Sequence, residues 1–173
     1  AKDLDLIDFD RGAKVSGYRG YYIKNEAVML QMGLLMHALQ KAIQHGFKPV
    51  IPPTLVREFV LYGSGYLAGR QFDPETDDVY KIANDEKLAD GSVKKESKFL
   101  VGTAEPSLLA YFADQTLSFK DLPIKLCGFS QCYRSEIGSY WRDTKGLYRV
   151  HECMKVELVT MAPADLKIAD QLH

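Results

Sequence analysis

The chain of 173 residues carries 22 Lys and Arg against 23 Asp and Glu, a formal net charge of −1, and is 46% hydrophobic and 11% aromatic with 13 Gly and 7 Pro. Such a length and composition suit one globular domain with a sizeable core, and they exclude a disordered, collagen-like or disulfide-scaffold chain. The charge balance argues against a strongly basic nucleic-acid clamp while leaving room for a local basic patch. No apolar run approaches the ~20 residues of a membrane helix, so no membrane association is expected. The acidic start Asp3-Leu4-Asp5 does not fit a signal peptide. Cys127, Cys132 and Cys153 lack a CxxC spacing and read as reduced thiols of a cytoplasmic protein, with no metal site among them.

Residues 3–25 are short and polar-aromatic, with Gly12, Gly17 and Gly20 breaking any periodicity. From Glu26 to His45 the spacing of Val28, Met32, Leu35, Leu39 and Ile43 predicts a helix, with Asn25 as its N-cap and Gly46 beyond its C-terminus. Ala27, Leu30, Leu34 and Ala38 add a second apolar flank, which predicts that this helix is covered on two sides, by core or by a subunit interface. Gly46 to Pro53 reads as a short strand at a sheet edge, because its prolines cannot donate to a ladder. Leu55 to Leu61 is expected to be a short helix, and Tyr62-Gly63-Ser64-Gly65 a flexible break. Val79–Ile82 and Phe99–Val101 are expected to pair, with Asp90-Gly91 turning a solvated, Lys-rich hairpin between them. Thr103 is the expected cap of a helix that has Pro106 in its first turn and runs to about Asp114.

The last third predicts two long strands, Pro123–Arg134 and Arg149–Met161, joined by the loop Ser135–Tyr148. With helices packed on this hairpin, the fold class is α+β, an antiparallel sheet flanked by helices. Strand alternation puts Gly128, Ser130, Cys132 and Arg134 on one face, with His151, Cys153, Lys155 and Glu157 beside them. That face reads either as a ligand floor, with Gly128 and Ser130 leaving space above it, or as a wet surface with Arg–Glu pairing. The loop, with Arg134, Arg142, Lys145, Arg149, Tyr140, Trp141 and Tyr148, has the cations and aromatics that suit phosphate and nucleic-acid contact. Neither a GxxxxGK[ST] nor a GxGxxG cradle is present, and Cys132 reads as a small buried thiol rather than a nucleophile.

The string Phe129-Ser130-Gln131-Cys132-Tyr133-Arg134-Ser135-Glu136, followed by Gly138-Ser139, Arg142-Asp143-Thr144-Lys145-Gly146-Leu147 and Arg149-Val150-His151-Glu152, resembles motif 2 of class II seryl-tRNA synthetases. Val101-Gly102-Thr103-Ala104-Glu105 resembles that family's serine-binding segment, Gly46–Pro53 its motif 1, and Leu6–Phe9 with Arg11–Gly17 the opening of its catalytic domain. The resemblance implies a six- or seven-stranded antiparallel sheet and a homodimer formed through residues 26–53. It implies that serine, ATP and tRNA(Ser) are the substrates, with Mg2+ accompanying ATP. Arg134 would be the catalytic residue, holding the ATP α-phosphate and the serine carboxylate. Thr103, Ala104, Glu105 and Glu157 would complete the serine site. Ser135, Glu136, Val150 and Cys153 would join Arg134 at ATP, with Glu136 accepting from the adenine amino group. Arg142 and Lys145 would contact the tRNA acceptor end.

Three departures from the family pattern matter. Its N-terminal helical arm and its motif 3 are not matched in the chain, so residues 1–173 are read as part of a catalytic domain. Cys153 stands where the family has a phenylalanine that stacks on adenine. A paralogue charging a carrier protein and a non-catalytic module of the same fold are the competing readings.

Overall fold

The computed structural model describes residues 3–67, 69–83, 85–137 and 146–164. At its N-terminal end β1 (Ile7–Asp8) pairs antiparallel with β2 (Tyr22–Ile23) and encloses α1 (Phe9–Ser16). Asp8 caps α1, its Oδ1 accepting from Arg11 N at 2.9 Å, which satisfies one of the amides a helix start leaves open.

The next helix, α2 (Glu26–Gln44), lies where the apolar spacing predicts it, and Gly46 follows at φ 84°. Asn25 occupies the cap position without capping: its amide donates to Asp5 O at 3.0 Å, and the side chain makes no bond to the helix. One flank of α2 turns inward, with Ala42 buried and Leu35 and Leu39 half-buried. The other is bare within the chain, where Met29 is 74%, Leu30 64% and Leu34 63% exposed. Among the described residues, covering on both sides is therefore not met by this chain's own core.

β3 (Lys48–Val50) lies parallel to β9 (Ile124–Tyr133), whose other side pairs antiparallel with β10 (Glu152–Met161), so the order is β10-β9-β3. The proline-bearing strand is thus at the edge, as its missing donor requires. Between β3 and β9 the chain builds a second three-stranded sheet, β4-β8-β5, from β4 (Leu55–Arg57), β5 (Tyr80–Ile82) and β8 (Lys98–Leu100). Only the second half of the helix expected after Leu55 forms, as α3 (Glu58–Gly63), because residues 55–57 pair with β8 instead. The expected break at residues 62–65 is a tied helix end, with Ser64 Oγ donating to Val60 O and Tyr66 N to Leu61 O. β6 (Glu86–Lys87) and β7 (Val93–Lys94) form the Lys-rich hairpin around Gly91, and α4 (Glu105–Ala110) follows β8.

Val56, Val60, Leu61, Leu67, Val79, Phe99 and Val101 form the core under β4-β8-β5. Ala104, Leu108 and Leu126 form a second core where α4 packs on β9. The sheets meet where Tyr133 N donates to Val101 O at 2.8 Å, while Val101 N donates to Thr54 O at 2.9 Å and extends the β4–β8 pairing. Among the described residues the strands thus make two mixed or antiparallel three-stranded sheets and two short ribbons, and no helix is long and apolar enough to cross a membrane.

The space expected above Gly128 is filled. A Cβ there would lie 2.9 Å from Ala104 Cβ and 3.0 Å from Leu108 Cδ1, so the missing side chain lets α4 settle onto β9. Gly128→Ala should therefore lower stability by about 1–3 kcal/mol, the range for overpacking a close-packed core. Urea denaturation checks this; an unchanged midpoint would show that α4 can shift freely.

Candidate functional site

The register Cys153↔Cys132, Lys155↔Ser130 and Glu157↔Gly128 puts these six residues on one face of the β9–β10 hairpin, as the alternation predicts. The segment 101–104 crosses this face between β8 and α4. Lys155 Nζ donates to Gly102 O at 3.0 Å, and Arg134 Nε donates to the same oxygen at 3.3 Å. Thr103 Oγ1 donates to Glu157 Oε2. The expected cap role of Thr103 is not observed, since Ala104 holds the cap position of α4 and the hydroxyl turns to the floor instead. The Arg–Glu alternative is not the pairing formed either: Arg134 goes to a main-chain carbonyl and Glu157 to a hydroxyl.

Thr103 and Ala104 are buried, Arg134 and Glu157 half-buried, and Glu105 exposed at the start of α4. Tyr66 completes this corner. Its hydroxyl and the Arg134 side chain both lie against Gly102, and burial, opposed by the Arg134 charge and reinforced by the nearby Glu105 and Glu157 carboxylates, raises its pKa above that of a free phenol. Sequence patterns gave no signal for Tyr66, which lies in a Gly-rich stretch without periodicity, nor for Lys155 as a ligand of the Gly102 carbonyl.

The start of the loop after β9 is tied to residues 77–78. Ser135 N donates to Asp78 O at 3.0 Å, Ser135 Oγ to Asp77 O at 3.2 Å, and Ile137 N to Asp78 Oδ1 at 3.1 Å. Ser135 thus acts as a clasp in the structure. Asp77 is itself anchored, accepting from Arg70 and from Asp73 N at 2.8 Å, and the Arg70 bond holds its carboxyl below the usual carboxylate range. Glu136, at φ 59°, is buried, and its Oε2 accepts from Arg149 Nε. Arg134 N donates to His151 O at 2.8 Å, which extends the hairpin register and leaves Val150 half-buried just beyond it. Cys153 is half-buried on the floor and faces Cys132, whose thiol pKa is raised by burial. Arg142 and Lys145 lie outside the described residues.

A carboxylate beside a hydroxyl, and one residue along the chain a guanidinium, make an arrangement complementary to a zwitterion. Glu157 can accept from an ammonium while Arg134 offers its fork to a carboxylate or phosphate. Among the described residues no group of three or more His, Cys, Asp or Glu side chains gathers to hold a metal ion.

The tRNA synthetase class II core domain (G, H, P, S and T) matches residues 80–173. A serine–tRNA ligase of Mycobacterium ulcerans is 40% identical over 98% of the chain, and one of Treponema denticola is 42% identical over 99%. The chain spans 37% of the length of each. Among solved structures, the seryl-tRNA synthetase of Pyrococcus horikoshii complexed with ATP is 40% identical, covers 92% of the chain with 32% of its own, and superposes with a TM-score of 0.74. The cytoplasmic serine–tRNA ligase of Naegleria fowleri in complex with AMP is 25% identical, covers 98% of the chain with 36% of its own, and gives 0.82.

The Asp77 anchor has a defined pH signature. Because the folded-state pKa lies below the unfolded one of about 3.9, the stability it contributes is complete above that value and is lost as pH falls through the folded pKa. Asp77→Asn should lower the melting temperature by a few degrees at pH 7, and the gap from the unmodified chain should close below about pH 4. A gap that persisted unchanged to pH 3 would show that the ion pair with Arg70 is not its source.

Proposed function

Because the chain belongs to the class II tRNA synthetase core-domain family, we propose that it carries the serine-activating site of a serine–tRNA ligase: ATP and L-serine give seryl-adenylate and pyrophosphate, and the seryl group then passes to tRNA(Ser). The observation that carries this reading is the adjoining pair of contacts on the floor, Thr103 with Glu157 and Arg134 with the Gly102 carbonyl. Glu157 and Thr103, with Glu105 at the rim, receive the serine ammonium and hydroxyl, and Ala104 lines the site. A polar acceptor set built to hydrogen-bond the hydroxyl rejects an analogue lacking it far more strongly than an apolar pocket rejects a missing methyl.

In the first step a serine carboxylate oxygen attacks the α-phosphorus. The bond to the bridging oxygen breaks, and pyrophosphate leaves with the electron pair. Arg134, fixed through Nε, turns its terminal nitrogens to the carboxylate and the α-phosphate. It thereby holds the reactants in line and offsets charge on the equatorial oxygens. The adenine lies along Glu136 and the Val150 main chain above Cys153, with Ser135 keeping the loop in register. In the second step a terminal ribose hydroxyl of the tRNA attacks the acyl carbon and AMP departs, with Arg142 and Lys145 contacting the acceptor end. Mg2+ would accompany ATP as the counterion of its phosphates. The exposed flank of α2 with Ile51, 82% exposed, supports pairing of two copies through residues 26–53. Three free thiols fit work in the cytoplasm.

Serine-dependent ATP–pyrophosphate exchange tests the reading. Serine should support exchange and alanine or threonine should not; comparable rates with alanine would overturn it. Arg134→Lys keeps one charge but loses the fork, and should lower kcat/KM for adenylate formation by about a hundredfold, roughly 3 kcal/mol. A change of less than about threefold would make Arg134 a structural partner of Gly102 only. Cys153→Phe should tighten ATP binding several-fold by adding a stacking surface worth about 1 kcal/mol, with serine binding unchanged. Calorimetric titration with parallel melting checks it, since a lowered melting temperature without a gain in affinity would place Cys153 in the core instead.

A further inference from the structure

The carboxylate of Glu136 is held by two arginines from opposite ends of the chain. Arg149 Nε, on the far side of the loop, donates to Oε2, and Arg19 Nη1 lies 3.8 Å from the same oxygen. The side chains of Arg19 and Glu136 are 7% and 6% exposed, so this contact is screened from water on both sides. Both residues hold a left-handed backbone, Arg19 at φ 68° and Glu136 at φ 59°, a conformation that a non-glycine residue keeps only where its surroundings impose it. A second tie joins the same two regions, Tyr21 Oη donating to Glu152 O at 3.1 Å. A cavity of about 260 Å3 bounded by Arg19, Tyr21, Tyr80, Tyr133 and His151 separates the ribbon from the strands beside these contacts. The segment carrying Arg19 is thus tied to the start of the loop and of β10 by directed contacts.

We propose that Arg19 is a positioning residue for recognition of the nucleotide base: it fixes the Glu136 carboxylate from the N-terminal ribbon, so that the site accepts an adenine and rejects a guanine. The inference rests on the reading of Glu136 as the acceptor of the adenine amino group and adds what orients it. A carboxylate oxygen accepts from an exocyclic amino group and repels the carbonyl that guanine carries at the same ring position. Discrimination of this kind depends on the carboxylate staying where the amino group arrives. One hydrogen-bonded guanidinium and a second charge within ion-pair distance of the same oxygen restrict it more than the hydrogen bond alone would.

Calorimetric titration of the chain with ATP and with GTP tests this, using Arg19→Gln, Glu136→Gln and Asp8→Ala beside the unmodified protein. Asp8→Ala removes the cap of α1 and loosens the ribbon without touching Arg19 or Glu136. Arg19→Gln should weaken ATP binding by roughly fivefold and narrow the ATP-over-GTP preference by a similar factor, while serine binding stays unchanged. Asp8→Ala should lower the melting temperature and leave the preference intact. If Arg19→Gln unfolds the chain, Arg19→Lys, which keeps the charge and loses the fork, should narrow the preference in the same direction. An unaltered preference in the folded Arg19 variant, with Glu136→Gln altering it, would overturn the inference and leave the proposed function standing. A loss as large in Asp8→Ala would overturn it too, by tracing the effect to general loosening. An unaltered preference in Glu136→Gln, or no ATP binding by the unmodified chain, would overturn the reading of the site together with the inference.

Discussion

The carbonyl oxygen of Gly102 accepts from Lys155 on β10 at 3.0 Å and from Arg134 at the end of β9 at 3.3 Å, and the placement of the remaining site groups follows from that junction. A carbonyl has two lone pairs, and a buried one left unsatisfied is costly, so two cations from neighbouring strands are a complete solution for this oxygen. Once Gly102 is fixed, Thr103 is delivered to Glu157, Ala104 to the space above Gly128, and α4 to the face of β9. The position of Arg134 is thereby set by main chain rather than by a carboxylate partner. A guanidinium neutralised by an acid would bring less charge to a phosphate than one held by a neutral carbonyl.

The features legible in the sequence are those with a short period. Alternation over 124–134 and 149–161 identifies which side chains share the floor, and the register bears it out, because a one-residue slip would invert every side chain. The spacing of Val28, Leu35 and Leu39 locates α2, and the prolines locate β3 at an edge. What failed to show are choices between two local chemistries. Thr103 and Asn25 both have the residue type of a helix cap, yet each side chain is taken by a distant partner, Glu157 in one case and Asp5 in the other. Nothing within a few residues of either position encodes that preference.

Contacts spanning many residues are illegible for the same reason. Tyr66, Asp77 and Asp78 lie in a stretch without periodicity, but they fasten Arg134, Ser135 and Ile137. The family resemblance names Glu136 as a base contact, whereas only the structure reveals the arginines that hold it, one of them 117 positions earlier in the chain (136 − 19). The apolar flank of α2 is the converse case. Its pattern is plain in the sequence, and its exposure shows that the core formed by the described residues does not account for it.

The account stands on one geometric claim, that the junction at Gly102 places a carboxylate and a guanidinium where the two charged ends of serine must go. A crystal structure of the chain with a sulfamoyl analogue of seryl-adenylate, in which the reactive phosphate is replaced by a stable group, tests it directly. The seryl ammonium should lie within hydrogen-bonding distance of Glu157 and Thr103, and the sulfamoyl group should be bridged by Arg134 still bonded to the Gly102 carbonyl. An analogue bound with its ammonium away from Glu157, or with Arg134 swung off Gly102 to reach it, would contradict the account.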